Sequence, residues 1–124
     1  MTKLMRLILP LGLVLVISGC NRPLGSSASG AIDPNRYYAV LLTNNAVYFG
    51  KLEGFGSAYP VLKDVFYIQS ATNNETKAVT NVLVKRGKEL HGPDRMMIND
   101  KSIVFVEPVG TDSKVAQLIA EAKR

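Results

Sequence analysis

From residue 37 onward, short apolar segments alternate with polar turns, a pattern typical of a small β domain. The segments are rich in Val, Ile, Tyr and Phe, which favour strands. The gap Thr43–Asn45 is short enough to join its neighbours as an antiparallel hairpin. Gly50 predicts a bulge or a close backbone approach within the second strand. Six strands are predicted: Tyr37–Leu42, Ala46–Leu52, Val61–Gln69, Val79–Lys85, Met96–Ile98 and Ser102–Glu107.

The last segment has helical periodicity. Four apolar residues recur there at spacings of three and four: Val115, Leu118, Ile119 and Ala122. A helix over Ser113–Lys123 would therefore have one apolar face, with Thr111 or Asp112 as its cap. We expect this helix to cover an open end of the sheet, and the alternative is a detachable helix that binds a partner. The predicted fold is mainly β, a small bent antiparallel sheet or partly open barrel of about six strands with a C-terminal α-helix.

Two stretches resemble parts of a known fold. The hairpin AVLLTNNAVYFGKLEG and the later LVKRG are similar to segments of SH3-like and Sm-like barrels and of other small bacterial β-domains. The resemblance covers about a quarter of the chain and lacks the Asp and Asn positions of the Sm signature. It implies a bent sheet, and because those positions are missing, RNA binding is not carried over from it.

The first twenty residues differ from the rest. Lys3 and Arg6 precede an apolar run of 11 residues, Leu7–Ile17. A helix needs roughly 20 residues to span a bilayer, so this run is too short for a stable membrane anchor. Its length is that of the apolar region of a secretory signal peptide.

The run ends in Ile17-Ser18-Gly19-Cys20, an aliphatic residue and two small residues before a cysteine. This resembles the lipobox of bacterial lipoproteins. The resemblance implies cleavage before Cys20, a thioether-linked diacylglycerol on its thiol and a further acyl chain, such as palmitate, on its amine. The alternatives are an ordinary signal peptide with a chance cysteine, or an uncleaved anchor.

The resemblance also implies an address in the cell envelope. Asn21 follows Cys20, where an aspartate retains lipoproteins of diderm bacteria in the inner membrane. By that comparison the protein is held in the outer membrane and faces the periplasm. In a monoderm it would lie on the outer face of the cytoplasmic membrane.

The chain then divides into three parts. Residues 1–19 are the signal peptide, residues 20–36 are the lipidated cysteine and a tether, and residues 37–124 are the globular domain. The tether is rich in Gly, Ser, Pro and Asn, which predicts flexibility. About 15 such residues reach on the order of 20 Å, enough to hold the domain away from the membrane.

Composition and charge exclude several classes of protein. The chain has 124 residues, one cysteine and one histidine, too few for a disulfide framework, a cysteine-rich zinc site or a tri-histidine metal centre. The formal charge of +5 reflects 15 basic and 10 acidic residues. Removal of the signal peptide with Lys3 and Arg6 leaves 13 basic residues and a charge of +3. An exported protein of such modest charge is not expected to bind nucleic acid.

The sequence predicts no catalytic residue, no cofactor and no metal site. Glu89, His91 and Asp94 share the most polar loop, and their side-chain types could together bind a divalent ion. Their spacing matches no established metal motif. A small envelope hydrolase or metal-binding protein that uses this loop is nevertheless the alternative hypothesis.

The favoured hypothesis is a protein-binding or assembly module of the envelope. Many tyrosines and phenylalanines lie between residues 37 and 67, and alternation along strands cannot place all of them in the core. Exposed tyrosines suit protein contacts, and nearby basic residues suit an acidic partner. The candidate partner surface comprises Tyr48, Tyr59, Tyr67, Lys85, Arg86, Lys88, His91 and Arg95.

Overall fold

A computed structural model describes residues 30–124. The predicted signal peptide, Cys20 and the predicted tether up to residue 29 lie outside the described residues. The elements are β1 (Tyr37–Leu42), β2 (Val47–Glu53), β3 (Val61–Thr72), β4 (Val79–Lys85), β5 (Arg95–Met97), a short 3-10 helix (Asp100–Ser102), β6 (Ile103–Pro108) and α1 (Lys114–Ala122). Among residues 30–124, no helix is long and apolar enough to cross a membrane.

The strands form one antiparallel sheet in the order β4-β3-β2-β1-β6, and the sheet does not close. The long strand β3 has β2 along one side. On its other side, β5 pairs with Val61–Lys63 and β4 pairs with Phe66–Thr72. The predicted fold class, a mainly β fold with six strands and a C-terminal helix, is confirmed.

A bulge, which by its geometry bends a strand, lies where β3 passes from β5 to β4. Between the pairs Lys51–Lys63 and Phe49–Phe66, β2 contributes one residue, Gly50, and β3 contributes two, one of which is Asp64. The backbone of Asp64 has a φ of 50°, in the left-handed region. A Cβ on Gly50 would lie 2.7 Å from the carbonyl oxygen of Lys63, so the predicted bulge and close approach at Gly50 are both confirmed.

Apolar side chains pack on both faces of the sheet. One core is formed by Tyr38, Val40, Leu52, Leu62, Val65 and Ile98. On the opposite face, Phe49 and Phe66 are covered by Ile119 of α1. The helix therefore lies on a face of the sheet. The expectation that it covers an open end of the sheet is wrong. The reason is that strand alternation directs two phenylalanines away from the first core, and their apolar surface needs cover.

Several boundaries differ from the prediction. The cap of α1 is Ser113, whose Oγ accepts from the backbone N–H of Ala116 at 3.2 Å, so neither predicted cap residue is used. Strand β3 continues through Ser70–Thr72, which the polar composition had predicted to be a loop. Pairing with β4 explains this extension, because it satisfies the backbone there, and Ser70 Oγ also donates to Asn81 Oδ1 at 2.7 Å.

Candidate partner-binding surface

Two of the predicted surface tyrosines form a pair. Tyr48 of β2 lies opposite Tyr67 of β3, with ring centroids 6.4 Å apart in an edge-to-face arrangement. Both side chains are half-buried. The guanidinium of Arg86 lies 5.7 Å from the Tyr48 ring centroid, within range of a cation–π interaction. These tyrosines are thus packed at the base of β4, which is the end of the strand at Val84 and Lys85.

Arg86 covers the gap between β4 and β5. Its backbone N–H donates to the carbonyl of Val65 at 2.8 Å, which extends the β3–β4 pairing by one residue. Its Nε is buried and lies 3.2 Å from Glu89 Oε1, an ion pair whose angles do not meet those of a hydrogen bond. Its Nη1 lies 3.4 Å from the sulfur of Met96. These contacts give Arg86 a structural role, at the edge of the first core.

Arg86, Lys85 and Arg95 line a cleft of about 390 Å³ between β4 and β5. Acidic groups oppose these cations within the cleft. Asp94 accepts two hydrogen bonds from Arg95, at 3.1 and 2.9 Å, and this contact lowers the pKa of Asp94. Lys85 Nζ lies 3.2 Å from Asp64. The positive charges that line the cleft are thus balanced by nearby carboxylates.

The remaining predicted surface residues lie elsewhere. Lys88 and His91 are exposed in the loop between β4 and β5. Tyr59 is 59% exposed and precedes Pro60, whose carbonyl accepts from the backbone of Ile98 beyond β5. The structure therefore brings together Tyr48, Tyr67, Lys85, Arg86 and Arg95 around the base of β4, and places the other three apart from them.

The loop of the alternative hypothesis does not form a metal site. Glu89 Oε2 accepts from the backbone N–H of Gly87 at 2.8 Å, which lowers the pKa of Glu89. Asp94 is bound to Arg95, as described above. Within residues 30–124, no group of three His, Cys, Asp or Glu side chains could hold a metal ion.

The sequence analysis missed a polar cluster at the bulge. The carboxylate of Asp64 accepts from the hydroxyl of Tyr37 and from Lys123 Nζ at the end of α1. It also forms the ion pair with Lys85 Nζ described above. Burial alone would raise the pKa of Asp64, but the hydrogen bonds from these three side chains outweigh it and lower the pKa to about 2. The pKa of Tyr37 is raised, mainly by burial and then by its bond to Asp64. The cluster fastens the C-terminus of α1 to the sheet.

The most exposed part of the sheet is a hairpin arm, residues 68–82, in which every residue is exposed. It consists of the end of β3, a turn and the start of β4. In the turn, the Asn73 side chain accepts from the backbone N–H of Glu75 at 2.8 Å. Ile68, Val79 and Val82 are 43%, 62% and 51% exposed. An isolated two-stranded hairpin is only marginally stable in water. Exposure of both faces of this arm therefore costs stability, and a function of the arm would explain why it is nevertheless present.

The free edge of the arm is β4. Within the described part of the chain, β3 is the strand that pairs with β4, and the other side of β4 is open. Since Arg86 N–H points to β3, alternation turns the backbone groups of Val79, Asn81 and Leu83 outward. Residues 79–84 contain no charged residue. An uncharged, exposed edge strand is a template for another strand.

The opposite edge, β6, has features that disfavour such pairing. Its register with β1 shifts between Leu41 and Leu42, and the strand ends in Glu107 and Pro108. Bulges, charges and proline are the devices by which edge strands avoid pairing. The two edges of the sheet therefore differ, and β4 is the one suited to accept a strand.

An apolar row leads across the sheet to this edge. On the face that carries α1, strand register and alternation align Phe105, Leu41, Val47, Ile68 and Leu83 in a row, and Leu83 also packs against the cluster that the helix covers. Phe105, Val47 and Ile68 are 45%, 37% and 43% exposed. The row adds apolar surface beside the free edge of β4, and such a contiguous patch is a feature of interaction sites.

Comparison with protein-family models and with curated proteins gave no match to this chain. Its fold and surface therefore supply the basis for a functional interpretation.

Proposed function

We propose that this chain is a lipid-anchored protein of the cell envelope whose β domain binds another protein by accepting a strand along β4. The observation that carries the proposal is the open, uncharged edge of β4 on an arm that is exposed on both faces. Strand addition is a common mode of peptide recognition, in which backbone hydrogen bonds supply affinity and alternate side chains supply specificity.

The side chains of the arm define what the added strand would meet. Val79 and Leu83 lie on the face that carries α1, where Leu83 is opposite Ile68 of the apolar row and Val79 is opposite Thr72. Val82 lies on the other face, where Tyr67 packs against Val84 at the base of the arm. A strand with apolar residues at alternate positions would bury these groups on both faces. Among the predicted surface residues, the Tyr48–Tyr67 pair is the part nearest to this contact on that face.

The sequence supports the envelope location. The lipobox at Ile17–Cys20 provides an anchor at Cys20, and the tether lets the domain reach about 20 Å from the bilayer. Asn21 favours the outer membrane with the domain in the periplasm. No nucleic acid and no cofactor is part of this proposal.

The hydrolase or metal-binding alternative gains no support from the loop geometry. The carboxylates of Glu89 and Asp94 are engaged by the backbone of Gly87 and by Arg95. A general acid or a metal ligand would need such a group to be available to substrate or ion.

The test is site-specific photo-crosslinking of the full, lipidated chain in its native envelope. A photoreactive amino acid replaces Val82 on the free edge, and the matched control replaces Val104, which is 55% exposed on β6. We expect a covalent adduct with a protein at position 82 and little or none at position 104. Equal adducts at both positions, or none at position 82, would contradict strand addition at β4.

A second variant separates loss of binding from loss of folding. Asn81→Pro removes an outward N–H and leaves the backbone bonds to β3, although it loses the exposed side-chain bond from Ser70, so the domain should fold and the adduct at position 82 should disappear. The far-ultraviolet circular dichroism spectrum checks the fold. A Cys20→Ala chain, made in parallel, tests whether the adduct needs the lipid anchor.

A further inference from the structure

We infer that the strand added to β4 is β4 of a second copy of this chain, so that two domains form one continuous antiparallel sheet across a two-fold axis. This inference rests on the proposed function, since it names the partner for the same edge. Three observations lead to it: the charge of the arm, the side-chain pattern of β4 and the difference between the two edges of the sheet.

The central part of the β4 edge, residues 79–84, carries no charge that would oppose self-association. Residues 30–124 contain 12 basic and 10 acidic side chains, but residues 68–84 contain only Glu75 and Lys77, which are both in the turn. Two copies that meet along β4 therefore bring no like charges into contact at residues 79–84. A neutral edge also gives no electrostatic preference for an acidic or a basic partner.

The side-chain pattern of β4 is compatible with itself. With the two-fold axis at Asn81, Val79 of one copy lies opposite Leu83 of the other and Thr80 lies opposite Val82, but this register also brings Lys77 toward Lys85. With the axis at Val82, the two Val82 side chains meet and Asn81 lies opposite Leu83. In either register, residues that share a face of β4 remain on one face of the joined sheet. Apolar and β-branched pairs of this kind stabilise antiparallel sheets.

The two edges favour this symmetric arrangement over a head-to-tail one. Pairing β4 with β6 of the next copy would bring Glu107, Pro108 and the register shift of β6 into the joined sheet. It would also leave a free edge at each end and allow growth of the assembly. Pairing β4 with β4 uses the open edge of both copies and closes at two, with the bulged β6 strands outermost.

Thiol crosslinking in the lipidated, full-length chain tests the inference. Val82→Cys adds a thiol at the edge, while lipidation occupies the thiol of Cys20. Two copies with different affinity tags are expressed together, and envelopes are treated with a crosslinker that spans about 5–8 Å, the separation of direct and diagonal cross-strand neighbours. We expect an adduct of twice the monomer mass that contains both tags. Val104→Cys is the matched control on β6, and there we expect at least tenfold less adduct.

Each other outcome has a definite meaning. An adduct at position 82 with a different protein overturns the second-copy inference and leaves strand addition at β4 standing. No adduct at position 82 overturns the second-copy inference, and the absence of a photo-crosslink at position 82 as well overturns strand addition at β4. A mixed adduct between Val82→Cys and Val104→Cys copies, without the symmetric one, overturns the two-fold arrangement in favour of head-to-tail pairing. Adding Asn81→Pro should remove the symmetric adduct, and its persistence would also contradict the inference.

Discussion

Single residues accommodate the bulge of β3, and a bulge bends the strand that carries it. Gly50 lets two strands approach closely, and the left-handed backbone of Asp64 takes up the extra residue on β3. The carboxylate of Asp64 then points to Tyr37 and Lys123, and so links the bulge to β1 and α1. Bending of the sheet and attachment of the helix are therefore coupled at one place.

Gly50→Ala should destabilise the domain by about 1–3 kcal/mol, the usual cost of an extra methyl group in a packed site. The new Cβ would lie 2.7 Å from Leu62 Cγ and from the backbone oxygen of Lys63, and backbone cannot move away cheaply. The free energy of unfolding in urea measures the effect. Gly30→Ala is the control, since nothing lies within 4 Å of its added Cβ, and an equal loss there would refute the steric explanation.

Asp64→Asn should reduce stability at neutral pH by about 1 kcal/mol, because Asn tolerates the left-handed backbone but loses the charge that Lys123 and Lys85 bind. The pKa of about 2 in the folded protein lies below that of the unfolded chain. The stabilisation from the charge is therefore present above about pH 4, and it is lost as the pH falls toward 2.

Urea unfolding measured from pH 7 down to pH 2 tests this dependence. The wild type should lose stability between about pH 4 and pH 2, and Asp64→Asn should lose less over that interval. Asp94→Asn is the control, because the Asp94 side chain is 75% exposed and its partner is the neighbouring Arg95. Identical acid profiles for the wild type and Asp64→Asn would show that the cluster does not stabilise the fold.

At the scale of elements, α1 depends on a small apolar contact as well as on the polar cluster. Ile119 is 3% exposed and packs with Phe49 and Phe66. Ile119→Ala should cost about 2–5 kcal/mol, the usual range for truncating a buried isoleucine. Thermal unfolding gives the loss, and Glu121→Ala on the exposed side of the helix is the control. A loss below 1 kcal/mol for Ile119→Ala would mean that the sheet is stable without the helix.

Most of the strands and the helix could be predicted from the sequence. Runs of β-formers marked all six strands, and β1 and β4 were predicted with their observed bounds. Periodicity identified α1, because an apolar stripe is a local pattern. The polar extension Ser70–Thr72 was missed, since it depends on pairing with β4 and not on composition.

The candidate site was less predictable than the elements, because its features depend on tertiary contacts. The contact between Asp64 and Lys123 joins residues from a bulge and from the end of the chain, and local spacing carries no sign of it. A charged residue inside an apolar strand was the available signal at Asp64. Likewise, the uncharged run in β4 was visible in the sequence, but its position at an open edge required the strand order.

For the whole molecule, the proposed anchor and the proposed pairing reinforce each other. Three acyl chains at Cys20 would hold each copy firmly in the bilayer, whereas a single chain would give only marginal binding. Copies confined to one membrane by tethers of about 20 Å meet at a higher effective concentration than copies free in solution. A short edge contact that is weak in dilute solution can then be populated in the envelope.

Replacing residues 1–20 by a cleavable secretory signal peptide should therefore release the domain into the soluble envelope fraction and reduce the Val82→Cys adduct at equal expression. The adduct should return as the purified, unanchored protein is concentrated, because mass action substitutes for the membrane. Intact mass spectrometry should show that the anchored chain begins at Cys20 and carries lipid, and that the unanchored chain carries none. Equal crosslinking of both forms at low concentration would show that the anchor does not contribute to pairing. A membrane-bound chain that retains residues 1–19 without lipid would refute the lipoprotein assignment.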